Sequence, residues 1–252
     1  MNVKEKMQTS PIYGALLKIV DDPSINLLAK SAGMDFVFYD CEHGMYSYEK
    51  LHDLILAGNN MGIESFVRVP QLARGDISRV LDCGCSGVMV PMIESKWQAE
   101  ELIRYSKYPP IGKRSYSGGA NTNYRPSGNH LINMKEINRK TISIVQIETV
   151  EGVERIDEIL SVDGIDAVIV GPADLGISMG IYDNVLDERE VEMIKKVVDA
   201  CRVHHKLFGI IGGLPLVEVF KDDLDIVVSA IDVNLLRDGL KWMVEKTDEI
   251  LK

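Results

Sequence analysis

Three features of the sequence predict an α/β fold, a (β/α)₈ TIM barrel built as a single domain over 1–252. Eight short apolar runs alternate with amphipathic stretches from one end of the chain to the other. Several runs are continuous and rich in Val and Ile, the pattern of a parallel strand buried on both faces rather than the alternation of a half-solvated antiparallel one. Eight units at roughly 31 residues each also match the ~250 residues typical of this barrel. A doubly wound open sheet is the alternative, and the lack of Gly-x-Gly-x-x-Gly after the first run counts against it.

In order, the predicted strands are Tyr13 to Ile19, Met34 to Tyr39, Ile63 to Val69, Gly87 to Val90, Ile142 to Ile147, Ile165 to Val170, Leu207 to Ile211 and Leu224 to Val228. The segments between them carry helix signals. Ser95 with Gln98 three residues on makes a capping box, and Asp232 opens a run in which Leu236, Leu240, Met243 and Val244 share one face. Trp97 and Trp242 fall on helices and read as packing residues.

A chain with 46% hydrophobic residues and no low-complexity break is long enough for one large core. No apolar run approaches the roughly 18 residues of a membrane span, and Met1 to Ser10 is too charged for a secretion signal. A cytoplasmic location without a membrane partner follows as an expectation. Cys41, Cys83, Cys85 and Cys201 are too few and too irregular for a disulfide framework or zinc ribbon, and the Cys83/Cys85 pair reads as buried small side chains. The formal charge of -10 argues against nucleic acid, which demands a basic face. Any anionic substrate must then be held by local positive charge.

In a barrel of this kind the groups just past each strand converge on one mouth. Glu148 closes the fifth strand and Asp174 follows the sixth, so adjacent strands would present two carboxylates side by side. With water and substrate oxygens they would suit Mg²⁺ or Mn²⁺, with Co²⁺ admissible, whereas zinc calls for His or Cys. Asp174 reads equally well as a helix N-cap after Gly171-Pro172. An unpaired carboxylate at the end of a buried strand, as Glu148 is, is costly. Arg68 interrupts the third strand, where it could hold an oxyanion or form a structural ion pair with a neighbouring acid. His43, in Asp40-Cys41-Glu42-His43-Gly44, could be a core histidine or, with Asp82 as its orienting partner, a general base. Lys18 near the end of the first strand could form a Schiff base. Gly118-Gly119 lacks the Lys of a phosphate loop, and His204-His205 reads as a solvated helix end at the opposite rim.

On these residues the chain resembles the HpcH/HpaI aldolase and citrate lyase family, the metal-dependent class II pyruvate aldolases. The matching segments run over nearly the whole chain: Gly33 to Phe36 with Asp40 to Gly44, Val67 to Pro70, Leu81 to Gly84, Met89 to Pro91, Tyr108 to Arg114, Gln146 to Thr149 and Gly171 to Leu175. The resemblance implies a lyase that reversibly cleaves a 4-hydroxy-2-oxo acid to pyruvate, or a related 2-oxo acid, and an aldehyde. It implies that Glu148 and Asp174 bind the divalent metal and that Arg68, Gln146 and Ala173 contact the substrate. It further implies that His43 paired with Asp82 transfers protons, and that the chain forms hexamers or trimers in which the last helix, about 233–252, packs on a neighbour.

The chain departs from the family pattern at Gly14-Ala15-Leu16, where relatives often carry Trp, at Lys18, where they carry a small residue, and at Ser115 to Gly119. These changes bear on the shape of the pocket and leave the implied metal ligands untouched. The rival readings are a hydroxyacyl-CoA lyase, which would need a basic groove, a Schiff-base aldolase using Lys18, an enzyme of phosphoenolpyruvate, and a non-catalytic sensor of oxo acids.

Overall fold

The computed structural model describes residues 3–7, 9–125 and 128–252. Eight parallel strands close in chain order: β1 (Ile12–Leu17), β2 (Phe36–Asp40), β3 (Glu64–Arg68), β4 (Gly87–Val90), β5 (Ile142–Ile147), β6 (Ala167–Val170), β7 (Leu207–Ile211) and β8 (Ile226–Ile231). Pairing of β8 with β1 completes the cylinder, which excludes the open sheet. Around it run α1 (Val3–Lys6), α2 (Ile25–Ser31), α3 (Tyr48–Met61), α4 (Arg74–Asp82), α5 (Lys96–Ser106), α6 (His130–Lys140), α7 (Val150–Glu154), α8 (Ile156–Leu160), α9 (Pro172–Ser178), α10 (Glu188–His204), α11 (Leu214–Val219) and α12 (Asp232–Leu251). All eight expected strands are present. β4, β5 and β7 match to the residue, and the ends of the others differ by up to three residues, where apolar residues such as Met34, Ile63 and Leu224 continue past the hydrogen-bonded ladder.

Side chains alternate across each strand, so one residue in two points into the barrel. On β2 the inward set is Phe36, Phe38 and Asp40; on β3 it is Phe66 and Arg68; on β5 it is Ile142, Ile144 and Gln146, with Glu148 following in the same phase. The lower layers are apolar and tightly filled, with the Phe36 and Phe66 rings stacked at 4.5 Å and Phe38 edge-on to Phe66 at 5.9 Å. The top layer is charged. A second apolar layer lies between the outer strand faces and the helices.

The floor is closed by α1, whose Val3 joins the inner core along with Met7. Lys4 bonds Asp166 at 2.6 Å, and Lys6 pairs with Asp35. Asp166 also accepts from the buried Lys107 ammonium at 2.9 Å and from the Ser143 N–H at 2.9 Å. Burial depresses the Lys107 pKa, and the Asp166 charge opposes that shift. Lys107 further donates to the Asn138 and Thr141 carbonyls, so it is a filled structural site.

Two sequence expectations, the tryptophans and the Ser95 capping box, are changed by the packing. Trp97 and Trp242 are 64% and 57% exposed, so neither is a core residue. The shared face of Leu236, Leu240, Met243 and Val244 is exposed, and Asp232 is the buried residue of α12. The Ser95 capping box is displaced by one residue: the Ser95 hydroxyl accepts from the Gln98 N–H, but the Gln98 amide oxygen accepts from the Glu94 N–H. Cys83 and Cys85 are buried and free, as expected. Among the described residues no helix is long and apolar enough to cross a membrane.

Removing the Asp166 carboxylate strands a buried ammonium. Asp166→Ala is expected to lower unfolding stability by about 3–5 kcal/mol, read from denaturant unfolding; a loss below about 1 kcal/mol would mean that Lys107 finds its compensation elsewhere.

Candidate active site

The inward phase of β2, β3 and β5 brings Asp40, Arg68, Gln146 and Glu148 together at the C-terminal mouth. Asp40 and Arg68 occupy paired positions of adjacent strands. Their side chains meet in a two-point bridge, Arg68 Nε to Asp40 Oδ1 at 2.8 Å and Nη2 to Oδ2 at 2.6 Å. Asp40 also accepts the N–H groups of Glu42 at 3.1 Å and His43 at 3.3 Å, so the same carboxylate shapes the turn that carries His43. Burial would lift the Asp40 pKa, but the Arg68 guanidinium and the two N–H groups outweigh it and hold the carboxyl below its ordinary value.

From Arg68 the network continues inward. Nη1 lies 3.0 Å from Glu42 Oε2 and 3.4 Å from Gln146 Oε1, and the Gln146 amide donates to Glu148 Oε2. The other Glu148 oxygen accepts the Met92 N–H at 2.8 Å. Met92 holds the left-handed φ of 55°, an uncommon conformation for a residue with a side chain, and so turns that N–H towards the acid. Gly171 is required opposite: a Cβ there would stand 2.6 Å from Glu148 Oε2 and 2.8 Å from Gln146 Nε2.

Glu148 is 2% exposed, and burial lifts its pKa to about 7, with the Glu42 and Asp174 charges adding to the shift. Glu42 is lifted as well, by burial first and then by Asp40 and Asp174 against Arg68 and His43. Three carboxylates therefore share one small region, with Asp174 on the exposed first turn of α9 beside Ala173. Among the described residues no three His, Cys, Asp or Glu side chains converge as a ready cage. Two oxygen ligands with open positions suit a hard divalent cation that keeps its waters, and such a charge would offset the mutual repulsion of the acids.

The expected pairing of His43 with Asp82 is not made within the chain. His43 follows β2 at the mouth, whereas Asp82 ends α4 just before β4 begins, at the barrel floor. A helix returning outside its strand must end at the opposite rim, roughly 15 Å away for strands of this length. Asp82 instead bonds Arg114 Nη2 at 2.7 Å, and His43 Nε2 stands 3.8 Å from Glu42 Oε2 with its side chain half exposed. Lys18, just past β1, lies 3.8 Å from Asp40 Oδ2. A Schiff-base lysine is commonly set in an apolar pocket, whereas Lys18 is 28% exposed beside the Asp40 carboxylate. His204 pairs with Asp157 at 3.0 Å at the far rim. A polar cavity of about 350 Å³ also opens at that rim, between Glu64, Arg114 and Lys140, and holds none of the mouth carboxylates.

The sequence reading singled out Asp40 and Glu42 only as members of the Asp40 to Gly44 motif, without a role of their own, and did not find Met92. Asp40 was detectable, since it closes a buried strand in the same phase as Glu148 does. Met92 carries no such signal, because its role lies in its backbone.

The HpcH/HpaI aldolase/citrate lyase profile matches residues 20–211. The chain belongs to the HpcH/HpaI aldolase/citrate lyase family. It is 34% identical over 200 residues to a 4-hydroxy-4-methyl-2-oxoglutarate aldolase of Hapsidospora irregularis, covering 78% of this chain and 73% of that one. It is 31% identical over 188 residues to a 2-keto-3-deoxy-L-rhamnonate aldolase of Klebsiella pneumoniae, covering 75% and 70%. The crystal structure of an HpcH/HpaI aldolase from Desulfitobacterium hafniense superposes with a TM-score of 0.94 at 30% identity, covering 99% of this chain and 97% of that one. Like these HpcH/HpaI relatives, the chain is a carbon–carbon lyase of the aldolase kind.

The Asp40 shift gives a stability test with a definite sign. A carboxyl held below its ordinary 3.8 stabilises the fold above that pH, and the contribution is lost as the pH falls through its depressed value. Arg68→Met is expected to cost about 3–5 kcal/mol at pH 7, and the gap to wild type should narrow on acidification, because a protonated Asp40 no longer needs the guanidinium. A gap independent of pH in urea unfolding would show that Arg68 stabilises by packing alone.

Proposed function

We propose that the protein catalyses metal-assisted, reversible aldol cleavage of a 4-hydroxy-2-oxo acid to pyruvate, or a related 2-oxo acid, and an aldehyde. The supporting observation is the cluster of Glu148, Glu42 and Asp174 facing one guanidinium at the mouth, with the Glu148 carboxyl lifted to about 7. Glu148 and Asp174 would hold Mg²⁺, Mn²⁺ or Co²⁺. The bound cation would polarise the 2-oxo group and stabilise negative charge on its oxygen.

The chain's own groups do the rest. The Ala173 N–H, in the open first turn of α9, and Gln146 orient the carboxylate end of the substrate. Arg68, locked in direction by Asp40, donates towards the oxygen on which charge develops, so little reorganisation accompanies the step. His43 faces the mouth from the β2 turn with a ring free to accept the C4 hydroxyl proton in cleavage and return it in condensation. Lys18 is not required as a Schiff base. A cytoplasmic site of action suits the four free cysteines.

The active unit is a homo-oligomer. The exposed Leu236, Leu240, Met243 and Val244 face of α12 offers a second copy of the chain an apolar surface. A pair between His43 and Asp82 also requires two copies, since one chain places them at opposite rims.

Two experiments decide these points. In a pyruvate-release assay, chelator should abolish activity and Mg²⁺ or Mn²⁺ restore it, Glu148→Gln should lower kcat about 10²-fold or more, and His43→Ala about 10²–10⁴-fold. Full activity in chelator would overturn the metal reading, and an unchanged His43→Ala rate would remove that residue from proton transfer. In light scattering, wild type should have the mass of a trimer or hexamer and Leu240→Glu with Met243→Glu that of a smaller species; a monomeric wild type refutes the assembly.

A further inference from the structure

We propose that Lys18 sets substrate choice, by binding a carboxylate at the end of the cleaved acid that becomes the aldehyde. The inference rests on the aldol reading above and names the substrate class within it, a 4-hydroxy-2-oxo acid carrying a second, terminal carboxylate.

The first ground is that Lys18 has no structural debt to discharge. Its nearest acid, Asp40, already receives Arg68 at 2.8 and 2.6 Å and two backbone N–H groups, whereas Lys18 Nζ stands off at 3.8 Å. Among the described residues the ammonium makes no hydrogen bond, and the side chain is 28% exposed into the mouth. Three donors are therefore free for a ligand.

A second observation is that the backbone beneath this side chain is held far more firmly than a solvated surface lysine needs. The N–H groups of Lys18, Ile19 and Val20 all donate to Asp232 Oδ2, at 2.9, 2.9 and 3.0 Å, and Asp232 is 4% exposed. The Val20 carbonyl accepts from the Tyr46 hydroxyl at 2.9 Å. Gly44 lets the His43 turn press against this segment, since a Cβ there would stand 2.3 Å from the Asp40 carbonyl oxygen and 2.9 Å from that of Lys18. The Lys18 and His43 turns are thus one packed unit.

The third ground is the order of groups across the barrel. In a cylinder of eight strands in sequence order, β1 and β2 stand opposite β5 and β6. A substrate whose 2-oxo acid end is held by Glu148 and Asp174 extends its C4 end towards the β1 and β2 side of the mouth, where the His43 turn and Lys18 stand side by side. That side thus offers both a proton acceptor for the C4 hydroxyl and a free cation for a carboxylate next to it. A single ammonium balances the one charge of a carboxylate, whereas a phosphate dianion would leave a net negative charge beside the Asp40 and Glu42 carboxylates.

The test compares kcat/KM for pyruvate release, with Mg²⁺ present, from two substrates of equal length, 4-hydroxy-2-oxoglutarate and its terminal amide. Wild type should prefer the dicarboxylate. Lys18→Ala should raise its KM about 10- to 100-fold, as expected for loss of a charged hydrogen bond, and bring the preference ratio towards one. Lys18→Arg should keep the preference and Lys18→Glu should reverse it. Equal losses on both substrates, or a preference surviving in Lys18→Glu, would overturn the role of Lys18 while the aldol reading stands. Failure of wild type to release pyruvate from either substrate would overturn the aldol reading and this inference with it.

Discussion

The mouth of this barrel depends on the buried bridge between Asp40 and Arg68. Taking two charges out of water costs several kcal/mol each, and the loss is offset only when geometry is good and every remaining donor and acceptor is used. Here the two residues are register partners on β2 and β3, so the backbone ladder itself delivers the fork to the carboxylate. The spare Asp40 capacity is taken by the N–H groups of Glu42 and His43, and the spare Arg68 nitrogen faces Glu42 and Gln146. One pair therefore orients the His43 turn on one side and the Gln146 and Glu148 pair on the other.

That arrangement explains how an acidic chain can handle an anionic substrate. The mouth concentrates Asp40, Glu42, Glu148 and Asp174 around few cations, and left alone these acids would repel both each other and a carboxylate ligand. Asp40 is neutralised within the fold by Arg68. Glu148 is not, and burial first, then the Glu42 and Asp174 charges, lift its pKa. In the proposed reading a divalent cation would offset these charges locally, which would make metal binding and substrate binding parts of the same electrostatic balance.

Much of this was legible in the residues. The eight strands could be found because buried parallel strands are unbroken Val- and Ile-rich runs, and Glu148 and Arg68 could be found because a charge in such a run is conspicuous. Asp40 obeys the same rule, and only its place in a motif drew attention away from it. The His43 and Asp82 pair was weighed within one chain without asking at which rim the end of α4 lies, so the need for a second copy to form it was not legible. Amphipathicity located α12 correctly but could not say what its apolar face meets, since a helix period records that one face is apolar and nothing about its partner. Met92 and Asp232 act through backbone groups, which no side-chain pattern reports.

Asp232 joins two properties that would otherwise be independent. Its buried carboxylate gathers the three N–H groups of the Lys18 turn, while its own backbone begins α12, with Oδ1 accepting the Val233 N–H. The first turn of the projecting helix and the loop carrying the cation at the mouth are thus fastened to one side chain. Any force that moves α12 against a second copy of the chain acts on the same anchor that positions Lys18 and, through the packed Gly44 turn, His43. In the proposed oligomer, assembly and the shape of the mouth would be coupled at this point by direct contact, without a long relay through the core.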